Sequence, residues 1–287
     1  MNGDTGFAIL AAMSVRQACP LIIAALGGVM SERAGVVNIA LEGIMLSGAF
    51  VGVWAGQAWG PAVGIMAALM IGAATGGAHL AFTQVLRMNH VVSGVAINLL
   101  ALHASTFLLR AFFNQADPPR QAKLAETVSM GWFIAFAFMA PFALHLLLYH
   151  TAFGLRLRAV GESAARTRLA GVSAVGLRAS AVVVSGMLAA CAGAYLSMAL
   201  VGRFTDDMVS GRGFIALAAV ICGRWTPVGA MLTCCVFGFF DALQLQLQGT
   251  VAIPSEFLRV IPYVLTIVVA LVIRSSPPAD LGSAAQD

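Results

Sequence analysis

The chain has 287 residues, of which 60% are apolar and 10% charged, with a formal net charge of +4 and a mean hydropathy of +0.91. Soluble globular domains carry about 25% charged residues, so this composition excludes a water-facing surface around the whole molecule and requires lipid over much of it. The five cysteines (Cys19, Cys191, Cys222, Cys234 and Cys235) lie in apolar surroundings without Cys-x-x-Cys spacing. They read as small packing residues.

In chain order, the first apolar stretch covers 7–30. Asp4 precedes it and the first basic residue, Arg16, falls inside it, so it lacks the basic start of a signal peptide and is expected to be retained. The stretch 36–56 follows a cluster running from Ser31 to Gly43, in which Asn38 and Glu42 are four apart and are expected on one helical face. A carboxylate at membrane depth costs at least a few kcal/mol unless paired or wet. Glu42 therefore either lines a polar solute path or makes a fixed hydrogen bond to another helix. Glu32 and Arg33 read as solvated or locally paired charges at a turn.

The stretches 61–86 and 90–113 come next, and Asn98 within the second either lines a path or bridges two helices. Small residues four apart, at Gly48, Gly52 and Gly56 and again at Gly72 and Gly76, favour close helix packing. After 131–149, the segment 154–178 holds Arg156, Arg158, Arg166, Arg168 and Arg178 against the single acid Glu162, so the rest of the chain balances to zero. The positive-inside rule puts this segment in the cytoplasm and the two internally balanced flanking loops outside. Counting spans from there places the N-terminus outside and the tail inside.

The stretch 177–201 leads to 214–223, which is about half the length needed to cross a bilayer and ends at Arg224-Trp225-Thr226-Pro227, where proline starts a new helix. In 227–247, Asp241 raises the same question as Glu42, with Gln244 and Gln248 continuing its face, and 257–273 closes the series. Strand alternation is absent. The expected fold is an all-α polytopic bundle of about 8–9 membrane segments, one of them half-length, in a single domain over 1–287. Apolar residues lead into Trp59-Gly60-Pro61 and again into Trp225-Thr226-Pro227. If that match is a repeat, 7–113 and 178–274 are inverted halves joined by the span 131–149 and the segment 150–178, with 275–287 as a tail.

The single lysine, Lys123, lies in no P-loop, and no catalytic or metal-binding motif occurs; the five histidines, His79, His90, His103, His145 and His150, are scattered. No enzyme activity, metal or cofactor is expected in this chain.

The run Glu32-Arg33-Ala-Gly-Val-Val-Asn38-Ile-Ala-Leu-Glu42-Gly43 resembles the signature of the permeases of nucleoside and simple-sugar ABC importers, kin of the ribose and branched-chain amino acid permeases. The resemblance continues through Gly154-Leu-Arg156-Leu-Arg158-Ala-Val-Gly161-Glu162 to Leu169-Ala-Gly171-Val172, and through Gly211-Arg-Gly-Phe214 to Gly223-Arg-Trp225. It implies a bacterial inner-membrane permease whose ATP is bound by a separate ATPase subunit. The other implied partners are a second, different permease chain and an extracytoplasmic binding protein or lipoprotein, with no nucleic acid. By the resemblance, Glu162 to Val172 form a short helix docking in a groove of the ATPase, with Gly154, Arg156, Arg158, Gly161, Glu162, Ala165, Leu169 and Gly171 serving coupling. Ala165, Leu169 and Val172 can form one apolar face for that partner. Ser163-Ala164 and Arg166-Thr167 depart from the family's usual wording there. The motif wording points to nucleosides as the solute, with Asn38, Glu42, Asn98, Phe214 and Asp241 along the path; Trp225, like Phe214, would suit a planar base or simple packing. An ion-coupled secondary transporter using Glu42 or Asp241 is the alternative.

Overall fold

The computed structural model describes residues 3–113, 130–248, 264 and 276–282. Among these the regular elements are helices: α1 Gly3–Arg33, α2 Leu41–Trp59, α3 Pro61–Leu80, α4 His90–Phe112, α5 Met130–His150, α6 Ala152–Glu162, α7 Ala164–Leu169, α8 Ala174–Ala194, α9 Arg212–Cys222 and α10 Pro227–Leu247. Helices α3 and α8 each run on into a π-turn, over Ala81–Val85 and Tyr195–Leu200. Six of these helices are long and apolar enough to cross a membrane, namely α1, α3, α4, α5, α8 and α10. The expected span 257–273 lies outside the described residues.

Every residue from Gln17 to Glu32 is buried, as a helix that is apolar all round must be. Helix α1 is therefore the central post, packed on α8, α9 and α10, while α2 lies between α3 and α8. The seams are built from small residues. A methyl group on Gly72 would collide with the Gly186 backbone, one on Gly48 with Ala190, and one on Gly64 with Gly52. The glycine spacing thus lets α2, α3 and α8 approach at backbone distance. All five cysteines are free, and four of them are buried.

The stretch 36–56 is not one helix. Helix α1 stops in a Schellman motif, in which Gly35 N–H donates to Glu32 O (3.0 Å) and Val36 N–H to Ser31 O (3.0 Å). Gly35 sits at φ +88°, the left-handed position that this motif asks of its C′ residue. The chain then runs extended over 36–38 before α2 starts at Leu41. The half-length helix appears as expected: α9 has 11 residues, about 16 Å. It ends in the same motif with Arg224 and Trp225 at φ 57° and 53°, and Pro227 opens α10.

Residues 276–282 are more than a tail. They return to the bundle and bond to Gly161, Ala164 and Gly35.

Candidate functional site

Inside the bundle, the N-termini of α2 and α9 meet. Gly211 N–H donates to Glu42 Oε1 (2.7 Å) and Gly213 N–H to Glu42 Oε2 (2.6 Å). The first turn of α9, which has no side-chain cap of its own, is thus satisfied by a carboxylate from α2. Both glycines are required: Gly211 stands at φ +82°, and a Cβ on Gly213 would lie 2.6 Å from Glu42 Cα. The fixed bond to another helix, one of the two readings that the sequence left for Glu42, is formed.

Helix α2 also lacks a local cap. Asn98 of α4 supplies it, its Oδ1 accepting from Gly43 N–H (2.8 Å) while its Nδ2 donates to Ile39 O (3.0 Å). Both ends of the Asn98 amide are thereby committed to backbone, and Asn98 bridges α4 to α2. Asn98 lies two turns beyond His90, about 12 Å along α4, so the junction sits well inside the bundle. Arg212, between the two glycines, faces Asp241 of α10 at 3.6 Å, both side chains about one-fifth exposed (22% and 21%). Phe214 projects from the exposed side of α9.

Asn38 does not share a helical face with Glu42, because it precedes α2 in the extended segment. It turns toward α8 and donates to Ser185 Oγ (2.9 Å), fully buried. Gly35 ends α1 three residues before Asn38 and α2 starts three residues after it, so a four-residue spacing places no shared helical face there.

Two histidines that are scattered in sequence converge on one peptide. Val37 N–H donates to His90 Nδ1 (3.2 Å), and Val37 O accepts from His79 Nε2 (2.9 Å). A carbonyl can only accept, so His79 carries its proton on Nε2 and takes the Ser93 hydroxyl on Nδ1 (2.9 Å). The extended segment would otherwise bury unpaired backbone groups. The signal was present in the sequence: His79 and His90 flank the turn between two spans. Among the described residues no group of three or more His, Cys, Asp or Glu side chains could hold a metal.

Glu32 is likewise buried, and Arg33, half-buried beside it, is paired with protein groups. The Trp225 indole N–H donates to the buried Glu32 carboxyl. Arg33 Nε donates to Trp225 O (2.6 Å), and its Nη2 to Arg224 O (3.2 Å) and the Tyr149 hydroxyl (3.0 Å). Trp225 is accordingly a packed and hydrogen-bonded residue and not an open aromatic surface.

At this same end of the bundle lies the Arg-rich segment. It folds as an elbow and not as one helix from Glu162 to Val172. Helix α6 ends at Glu162, Ser163 is extended (φ −164°, ψ 103°), and α7 spans only Ala164–Leu169. The buried residues of α6, Gly154, Leu157, Val160 and Gly161, recur at helical spacing and face the bundle. Gly154 is needed where α6 folds back on α5, since a Cβ there would strike the Leu148 backbone, and Gly161 touches the Arg33 carbonyl in the same way. Arg156 and Glu162 are exposed. Arg158 donates to Leu148 O (3.0 Å) and lies 4.5 Å over the Tyr149 ring. In α7, Ala164 and Thr167 are buried while Ala165 and Leu169 point outward, Leu169 being 90% exposed. Gly171 closes α7 at φ +77°, its N–H on Arg168 O (2.9 Å). A groove of about 420 Å³ between the two helices is lined by Leu155, Arg156, Glu162 and Arg166 among others. Arg178, counted with the surface charges in the sequence, is fully buried and pairs with Asp280 at 3.9 Å.

The family described as branched-chain amino acid transport system / permease component matches residues 10–270. A nucleoside ABC transporter permease protein, NupC of Lactococcus lactis, is 37% identical over 94% of this chain and 93% of its own. A guanosine ABC transporter permease protein, NupQ of Bacillus subtilis, is 36% identical over 87% of each. A protein named as a glucose ABC transporter permease, TsgC13 of Haloferax volcanii, is 33% identical over 82% of this chain and 77% of its own. Among solved structures, an inward-facing metal-chelate type ABC transporter superposes with a TM-score of 0.53 at 20% identity, over 92% of this chain and 85% of that one.

Proposed function

We propose, from the premise that this chain belongs to the family of branched-chain amino acid transport system permease components, that it is the membrane permease of an ABC importer of nucleosides. The observation that carries the solute class is the 36–37% identity to permeases named for nucleoside and guanosine transport, extending over most of both chains. The chain performs no ATP chemistry in this reading. A separate ATPase subunit supplies it, a second permease chain completes the path, and an extracytoplasmic binding protein delivers the solute.

The elbow of α6 and α7 is the docking element for the ATPase. Its support is the combination of a firmly packed inner face with Ala165 and Leu169 left outward, as helix-in-groove recognition requires. The excess of Arg in this segment supports a cytoplasmic position, with the N-terminus outside and residues 276–282 inside. The junction of Glu42, Asn98, Arg212 and Asp241 is the floor of the solute path. Two helix N-termini meeting inside a bundle are the arrangement in which transporters hold small solutes, and Phe214 offers an aromatic face beside it.

The halves 7–113 and 178–274 are inverted repeats within 8–9 membrane segments. Packing supports this: exchanging α1 with α8, α2 with α9 and α3 with α10 turns the pair α1–α10 into α8–α3, the pair α1–α9 into α8–α2, and the pair α2–α3 into α9–α10, all of which are in contact.

The test is uptake of labelled guanosine, adenosine, ribose and glucose by cells with and without this chain, after ATP depletion and, separately, after collapse of the proton gradient. Nucleoside uptake that disappears with the chain and with ATP supports the reading. Uptake of the sugars alone would move the solute class toward that of the Haloferax relative, and dependence on the gradient alone would make the chain a secondary transporter.

A further inference from the structure

We propose that residues 276–282 form a clasp that positions the docking helix α7 and ties it to the α1–α2 segment, with Asp280 as its key residue. The inference rests on the reading of α7 as the ATPase docking element and adds a coupling residue to it.

Four bonds carry the argument. Asp280 N–H donates to Gly161 O (2.9 Å), the penultimate residue of α6. Asp280 Oδ2 accepts from Ala164 N–H (2.7 Å), the first residue of α7. The same oxygen lies 3.9 Å from Arg178 Nη2. Gly282 N–H donates to Gly35 O (3.0 Å) at the end of α1. Asp280 thus holds both sides of the Ser163 elbow at once. Leu281 packs on the main core and Pro278 is buried, so the segment is seated in the body of the bundle.

Arg178 extends the connection inward. It is fully buried, donates from Nε to Ala34 O (3.2 Å) and from Nη1 to Gln84 Oε1 (2.9 Å), and so joins the starts of α8 and of the extended segment to the end of α3. Seven residues beyond Gly35, in the first turn of α2, stands Glu42. A displacement of α7 by a bound partner therefore reaches the Glu42 junction through a short run of hydrogen-bonded backbone, with Asp280 as the side chain of the clasp that is bonded to α7. A segment whose sole role was to fill surface would have no need of a carboxylate aimed at a helix N–H and a buried guanidinium together.

The experiment has two independent arms. In the first, the purified chain alone in lipid nanodiscs is digested with trypsin, and the cleavage rate after Arg166 and Arg168 is measured for wild type, Asp280→Asn, Asp280→Ala and a chain ended after Pro278. Asn keeps an acceptor for Ala164 N–H and loses the ion pair; Ala loses both. The expected result is faster cleavage by about tenfold in Asp280→Ala and in the truncated chain, with Asp280→Asn between. In the second arm, the assembled transporter is reconstituted and solute moved per ATP hydrolysed is measured. Asp280→Ala is expected to lower that ratio several-fold while ATP hydrolysis continues, with Asp280→Asn partly restoring it. Unchanged cleavage in every variant overturns the clasp, and faster cleavage with an unchanged transport-to-ATP ratio overturns its part in coupling. Should the wild-type chain fail to assemble with any ATPase, the docking reading itself fails, and the digestion arm still decides whether the clasp exists. If Asp280→Ala does not accumulate, Asp280→Asn against wild type carries both arms.

Discussion

Glu42 occupies both of its carboxylate oxygens with the first backbone N–H groups of α9. Removing it leaves two donors unpaired inside the bundle, at about 1–3 kcal/mol each. Glu42→Ala is therefore expected to lower thermal stability in detergent by several degrees and to abolish uptake. Glu42→Gln, with one acceptor oxygen, should recover only part of the stability; equal stability of all three proteins would contradict the capping role. Asp241 allows the opposite separation. Its pairing with Arg212 is long and partly exposed (3.6 Å, 21% and 22%), so Asp241→Asn should alter stability by no more than about 1 kcal/mol. A large fall in uptake at that small stability cost would mark Asp241 as a solute-path residue, and unchanged uptake would remove it from the path. The importance of Glu42 was legible from its chemistry, as an acid in an apolar run. Its partner was not, because Gly211 and Gly213 contribute only backbone N–H groups that no side-chain pattern reports. The pairing of Asn38 with Glu42 failed for a related reason: Gly35 was available as a helix stop, and helical spacing has no meaning across one.

Among the elements, the end of α9 holds the clearest stored strain. Arg224 and Trp225 are consecutive non-glycine residues at φ 57° and 53°, a conformation costing roughly 1–2 kcal/mol per residue. The turn persists because Arg33 binds the carbonyls of both residues and Glu32 the Trp225 indole. Glycine adopts this conformation without a Cβ clash, and Arg33 binds the Arg224 carbonyl and not its side chain. Arg224→Gly is therefore expected to raise thermal stability by about 1 kcal/mol, measured as the melting temperature of the purified chain. A decrease would mean that the Arg224 side chain makes a contact worth more than the strain. The half-length of α9 and the proline that restarts the chain were readable from length and from Pro227 alone. The breaking of the Glu162 to Val172 helix at Ser163 was less so, although Ser163 is a good N-cap, its Oγ accepting from Arg166 N–H (3.4 Å). Asp280, more than a hundred positions away, accepts from Ala164 N–H at the restart of the helix, and no local pattern in the sequence reports that bond.

At the scale of the whole molecule, the bundle has two kinds of surface, and they predict different consequences of substitution. The lipid-facing helices expose apolar residues that the membrane covers, such as Leu100, Phe107 and Trp132. The Arg-rich end has no such cover in the proposed orientation, and there Leu169 is 90% exposed while its helical neighbours Ala164 and Thr167 are packed. An apolar side chain held out in water on a fastened helix makes no contribution to the fold that a charge would remove. Leu169→Glu is accordingly expected to leave membrane insertion and thermal stability within about 0.5 kcal/mol of wild type. With α7 docked on the ATPase subunit as proposed, the same variant should bury an unpaired carboxylate in that contact, which costs several kcal/mol. Co-purification of the two subunits should fall by at least tenfold, and uptake with it. Arg156→Glu, also exposed but one helix away on the rim of the groove, should weaken the assembly far less, since rim charges shift association rate more than affinity. Equal loss in both variants would assign the contact to charge spread over the whole Arg-rich face. Loss confined to Leu169→Glu would assign it to the short helix α7.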